Sequence, residues 1–226
     1  MDLKLIAKKY QKLFNYRHTF VLIRRQKVIP VNVLFFPENF HHLLAFQHFD
    51  DRPSLKNYKR KQLFDDILND KFDQSKMVTS VYFPKYKDRI ENIEYIYEMF
   101  GAKKALYPFR GNEECSQIKA NIIMESSSAI SDCVYNFLSR TDEEDLHIYV
   151  CSSLFPKRNK DYTRNLKRYN IMYHEVFDYA TNQNSVLIDK FQNSNKGYPS
   201  IDLFVNRTEY LMRVNEFNIQ HQMIEA

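Results

Sequence analysis

At 226 residues and 44% hydrophobic content, the chain can bury one sizeable core, alone or with a small appendage, which argues against two equal domains. A net charge of +5 favours an anionic partner, while Cys115, Cys133 and Cys151 show no CxxC spacing, so neither a disulfide framework nor a thiolate zinc site is indicated. No run reaches the roughly 18 apolar residues of a bilayer span and the first residues are charged, so no signal peptide, no membrane contact and a cytoplasmic location are expected.

Leu3, Ile6, Tyr10 and Leu13 recur at helical spacing with lysines between them, which predicts an amphipathic helix over 3–14. HTFVLIRR and VIPVNVLFF are rich in β-branched and aromatic residues and are divided by a short charged segment at 25–27, which predicts a hairpin. Pro37 and Asn39 stand where a helix start places a proline and a polar cap, so a short helix is expected over 40–49, ended by Asp50, Asp51 and Pro53. Helical periodicity returns over 55–72 and again over 86–100, with Gly101 placed as the C-terminal stop.

From Ile118 the period changes: IKANIIM, CVYNFL, LHIYVCSSL and NIMYHEVF predict strands, with a turn at 126–128 and connections at 141–145 and 157–170. SVLID and SIDLFVN read as further strands, 208–224 as a closing helix and 192–200 as the most linker-like stretch. Segregation of helices from strands argues for an α+β fold, an antiparallel sheet with an N-terminal hairpin and helices packed on it. Residues 1–180 are expected to form the main domain and 181–226 a C-terminal extension packed on it. Eighteen Phe, sixteen Tyr and only three Gly describe an aromatic core joined by loops that seldom need positive φ.

The densest set of ionisable residues is His41, His42, His48, Asp50 and Asp51. His41 and His48, seven apart, would share one helix face, which leaves open an acid/base site, a metal site, or ordinary capping and surface roles. Zinc-binding helices space histidines three or four apart, a pattern absent here, so no metal and no cofactor are expected. The basic stretch Lys157, Arg158, Lys160, Tyr162, Arg164, Lys167, Arg168 and Tyr169 mixes cations with rings, as single-strand RNA surfaces do and as solvated charged loops also do. Ser152 and Ser153 close an apolar strand, either to hydrogen-bond a phosphate or simply to turn. Lys119, placed mid-strand, needs solvent or an anion opposite it, and a half-exposed strand is the favoured reading. Without a GxSxG context or a glycine-rich phosphate loop, a serine hydrolase and a nucleotide-dependent enzyme are both poor readings.

FHHLLAFQHF, following the hairpin, resembles the Phe-x-His-Leu segment of phage-associated nucleases in the barnase, EndoU, colicin and RelE-like superfamily. IKANIIM resembles that family's Lys-x-Ala-Asp-Tyr strand, and LFPKRNKDYTRN is similar to its Pro-x-Thr/Ser-Phe-Phe-x-Arg segment, in an order and spacing that span 5–180. Three positions depart from the pattern: Ala45 where glycine is common, Asn121 for an acidic residue, and Lys157 for the Thr/Ser after the proline.

The resemblance implies metal-free endoribonuclease chemistry, in which the ribose 2′-OH attacks the neighbouring phosphate, in a toxin-like or phage- or mobile-element-borne protein. Such a site needs a base, an acid and cations. Among the residues present, His42 or His41 would serve as acid/base, with Lys119, Arg158 and Lys157 supplying charge and Ser153 and Tyr162 positioning the phosphate; Arg164 and Arg168 would add RNA contacts. RNA is the expected partner, with a cognate inhibitor or host protein beside it. The altered positions 121 and 157 add weight to a second reading, a non-catalytic RNA- or protein-binding module of the same fold, and a third reading is a structural interaction protein.

Overall fold

A computed structural model describes residues 1–25, 27–109, 118–141, 146–191 and 214–219. Helix α1 (Leu3–Gln11) starts at Asp2, whose carboxylate accepts from the Leu5 amide at 3.0 Å, and its apolar stripe buries Leu3, Ile6, Ala7 and Tyr10. Strands β1 (Tyr16–Arg24) and β2 (Lys27–Leu34) pair antiparallel, with His18 opposite Val33 and Arg24 opposite Lys27.

Five helices of four to eleven residues, with α2 (Asn39–Leu43) before them, carry the chain onward: α3 (Pro53–Lys56), α4 (Arg60–Leu68), α5 (Ser75–Val78), α6 (Phe83–Ile93) and α7 (Ile96–Gly101). Strands follow as β3 (Ala105–Pro108), β4 (Ile122–Ser128), β5 (Ser131–Arg140), β6 (Ile148–Pro156), β7 (Asn170–Asp178) and β8 (Gln183–Asp189), and residues 214–219 are helical.

The eight strands lie in the order β3-β4-β5-β6-β2-β1-β7-β8. This α+β architecture departs from the expected antiparallel sheet in one place: β2 and β6 are parallel, Asn32 standing opposite Ile148. Two antiparallel blocks therefore meet at a parallel seam. Between β2 and β6 the described residues include six α-helices and three strands, long enough to return beside β2 in the same direction, as a two-residue turn could not.

The helices cover the sheet through an aromatic core in which the Tyr10 ring lies 5.1 to 6.1 Å from those of Phe14, Phe35, Phe40 and Phe64. Each such side chain contributes roughly 1.5–3 kcal/mol when fully buried. A smaller cluster joins Leu34, Phe36, Leu146 and Ile148 to Val214 and Phe217 of the 214–219 helix. Among the described residues no helix is long and apolar enough to cross a membrane.

Several local expectations change in the fold. The helix expected over 40–49 breaks at Ala45, whose φ of 62° is left-handed, and resumes as a 3-10 turn at Phe46–His48. The periodic stretches 55–72 and 86–100 are each divided in two, into α3 and α4 and into α6 and α7. IKANIIM enters the sheet only at Ile122, which puts Lys119 ahead of the strand, and residues 126–128 extend β4 instead of turning. Strand β3 is too short, and too close to a proline, to show a period.

Loops need positive φ more often than the three glycines imply, at Arg25, Ala45, Asp70, His147, Asn165 and Asn182. SVLID falls within β8. SIDLFVN, the 192–200 stretch, Cys115 and residues 142–145 lie outside the described residues, as does most of 208–224.

Candidate active site

Where the helical layer meets β5 and β6, a cleft of about 1060 Å³ opens. Asn39 and His42 of α2 line it, joined by Gln47, His48 and Asp50 from the turn beyond. The first turns of α4 and α6 add Arg60, Lys85 and Tyr86, and the sheet side adds Lys119, Ser139, Ser152 and Ser153, with Lys160 and Tyr162 from the β6–β7 connection.

The left-handed residue decides which histidines meet. On one unbroken helix His41 and His48 would share a face, but reversal of the chain at Ala45 brings His48 to the cleft beside His42 instead. His41 points the other way: it is 3% exposed, and its Nε2 lies 3.1 Å from the Leu55 carbonyl.

A β-bulge makes the serine pair. Phe137 stands opposite Ser153 and Leu138 opposite Cys151, so Ser152 is an extra residue that lets two consecutive hydroxyls line one cavity. The Ser139 and Ser152 hydroxyl oxygens are 2.6 Å apart, and Ser152 donates to the Phe137 carbonyl at 3.2 Å.

Lys157, Arg158, Arg164 and Arg168, also singled out in the sequence, do not line this cleft. Arg158 lines a smaller adjoining pocket and pairs with Asp88 of α6 at 2.6 Å. Lys157 bonds to Asp161 at 2.7 Å, which holds its ammonium above the ordinary lysine value. Arg164 and Arg168 are exposed along the connection and do not line the cleft.

Among the described lining residues four cations, Arg60, Lys85, Lys119 and Lys160, face one carboxylate, Asp50, which is itself paired with Lys56 at 2.6 Å. Burial, then Arg60, His41 and Arg89, pull the His42 pKa down to about 4, against a hydrogen bond to the Gln47 side chain that raises it. Burial, Arg89 and Lys85 lower His48 as well, with Asp50 opposing them. At neutral pH His42 is a neutral imidazole with a lone pair available, in a field that attracts anions. Among the described residues, no three His, Cys, Asp or Glu side chains come together as a metal-binding group.

Sequence reasoning missed Arg60, Lys85 and Arg89. For the first two no local signal existed: α4 and α6 begin with no acidic residue in the first turn, but so do α1, α2, α3 and α5. For Arg89 there was one, because Tyr86, Arg89, Ile90 and Ile93 form one buried stripe of α6 and a guanidinium interrupts it. Arg89 is 3% exposed; its Nε donates to the Leu43 carbonyl at 2.9 Å and its Nη2 donates to that of His42. It thereby ties α6 to the backbone of α2.

A family model described as phage-Barnase-EndoU-ColicinE5/D-RelE like nuclease4 matches residues 2–202. The chain belongs to this nuclease-like family. Every residue of the cleft falls inside the matched span, and nucleic acid is the substrate class that membership implies. No curated protein and no solved structure matches the chain.

The departures from the nuclease-like pattern take on structural meaning here. Ala45 occupies a left-handed position where glycine would be unstrained. Asn121 accepts from the Arg140 amide at 2.7 Å, and Lys157 is held by Asp161.

Proposed function

We propose that the chain is a metal-independent endoribonuclease that cleaves RNA by attack of a ribose 2′-oxygen on the adjacent phosphorus. The observation that supports this reading is a neutral His42 in a cleft it shares with His48 and four cations. His42 takes the 2′-OH proton as the 2′-oxygen bonds to phosphorus. The P–O5′ bond then breaks, His48 beside Asp50 gives a proton to the departing 5′-oxygen, and a 2′,3′-cyclic phosphate remains.

Arg60, Lys85, Lys119 and Lys160 carry the charge that builds on the phosphorane, and Ser153 and Tyr162 position the phosphate. Cations around the cleft lower the proton affinity of His48, and a bound phosphodiester opposes them, which favours the protonated His48 that the acid step needs. Arg158, Lys157, Arg164 and Arg168 extend the contact along the strand, while His41 supports the site from behind through the Leu55 carbonyl.

The test is incubation of purified protein with total RNA in excess EDTA, followed by end-group analysis. Fragments with cyclic-phosphate ends are expected, and His42→Ala slows their release by ~10²-fold or more. An unchanged rate in that variant discards the base assignment, and a requirement for added divalent ions discards metal independence. Lys157, a paired cation where the family pattern has a hydroxyl, favours the second reading, a non-catalytic binding module. Intact RNA that shifts on a gel is the outcome which that reading expects.

A further inference from the structure

Beside the cationic cleft lies a second pocket of about 290 Å³, walled by Tyr86, Phe155, Pro156 and Tyr162, with Arg158 at its side and Arg89 contributing from α6. The two cavities share Lys85, Tyr86, Phe155, Lys160 and Tyr162, so a chain whose phosphate lies in the cleft has its next ring within reach of the smaller pocket. At the small end of ligand-site volumes, this pocket suits one planar ring system rather than a nucleotide chain.

The residue that gives the pocket its chemistry is Arg89. Its guanidinium is almost fully buried and stands 4.8 Å over the Phe155 ring, and among the described residues no carboxylate pairs with it. Two of its donors are used on the His42 and Leu43 carbonyls, while Nη1 has no partner among the described residues. A buried cation with unused donors beside aromatic walls calls for acceptors on a flat, stackable group.

Building on the ribonuclease reading, we infer that this pocket is a nucleobase subsite, in which a base adjoining the cleaved phosphate stacks on the aromatic walls and turns two neighbouring acceptors to Arg89. Guanine offers such a pair in O6 and N7, and cytosine in O2 and N3; adenine and uracil have a donor at one of the two positions. Because the same guanidinium holds the His42 carbonyl, Arg89 is also a positioning residue, linking base recognition to placement of the imidazole.

The experiment is fluorescence anisotropy with short 2′-deoxy oligonucleotides of uracil in which one central base is guanine, cytosine, adenine or uracil. These probes cannot be cleaved by 2′-OH attack, so binding is read independently of chemistry. Guanine or cytosine is expected to bind about tenfold or more tighter than adenine and uracil, a ranking that the unaltered protein alone can show. Arg89→Lys keeps a cation but loses the planar fork, and is expected to flatten the ranking.

Equal affinity for the four bases, or a ranking that survives in Arg89→Lys, overturns the subsite and leaves the ribonuclease reading standing. A base ranking in a protein that cuts no RNA supports the subsite and removes the ribonuclease reading. Absence of binding to every probe overturns the subsite, while release of cyclic-phosphate fragments from RNA decides the ribonuclease reading independently.

Discussion

A histidine held below its ordinary titration range stays available as a base in more acidic solution than a free one. His42 is in that position because burial and Arg60 both disfavour its cation, bringing it to about 4. Since kcat/KM reports the free enzyme, its acid limb is expected to fall as pH drops through about 4, not near 6.5. Arg60→Gln is expected to move that limb upward toward the ordinary histidine value. The profile is measured on a short oligoribonucleotide, with circular dichroism at each pH to separate protonation from unfolding; a limb unmoved by Arg60→Gln contradicts the role given to that arginine. Adjacent in sequence and identical in type, His41 and His42 differ only in direction. That direction follows from helix geometry once the buried side of α2 is known.

Between β1 and β7, a row of nitrogen groups crosses the core. Lys104 Nζ lies 3.4 Å from His174 Nδ1, and His174 Nε2 lies 3.3 Å from His18 Nδ1. With Lys104 donating, His174 accepts at Nδ1 and donates from Nε2, which leaves His18 with its proton on a buried Nε2 that has no partner. Burial first and then Lys104 bring His18 to about 3 and His174 to about 2, both below the ordinary 6.5. The unfolded chain therefore binds more protons than the folded one between these values, so the stabilisation is complete above pH 6.5 and is lost as pH falls toward 3. At about 1.4 kcal/mol per pH unit for each group, unfolding free energy is expected to drop by roughly 4 kcal/mol from pH 7 to pH 5. Urea titrations at the two pH values measure it, and His18→Phe with His174→Phe is expected to remove most of the drop. A drop of the same size in that double variant assigns the acid sensitivity elsewhere.

Across the whole molecule, one buried ion pair joins parts far apart in the chain. Arg17 of β1 and Glu175 of β7 lie 3.3 Å apart with side chains 1% exposed, and Arg17 also donates to Asn215 in the 214–219 helix. Tyr173 completes the set by donating to Glu175 at 2.7 Å. Removing one partner strands a desolvated charge, so Glu175→Ala is expected to cost about 3–5 kcal/mol in urea unfolding. A loss below about 1 kcal/mol would show that water reaches Arg17. Replacing both partners by apolar residues of similar volume is expected to cost far less than the single change.

The chain's own periodicity determined where α1 buries its stripe and where β1, β2, β6 and β7 run, because alternation and 3.6-residue spacing are local properties of neighbouring residues. Residue type and placement, read with the family resemblance, singled out His42, Lys119, Ser153 and Tyr162, which line one cleft. Tertiary structure alone decided the parallel seam between β2 and β6, the left-handed turn that trades His41 for His48, and the bulge that pairs Ser152 with Ser153. It also recruited Arg60, Lys85 and Arg89 from helices whose spacing records only which side faces the core. A period says which face of an element is buried; which helix starts and strand edges then meet across a cavity depends on the long-range packing that closes the core.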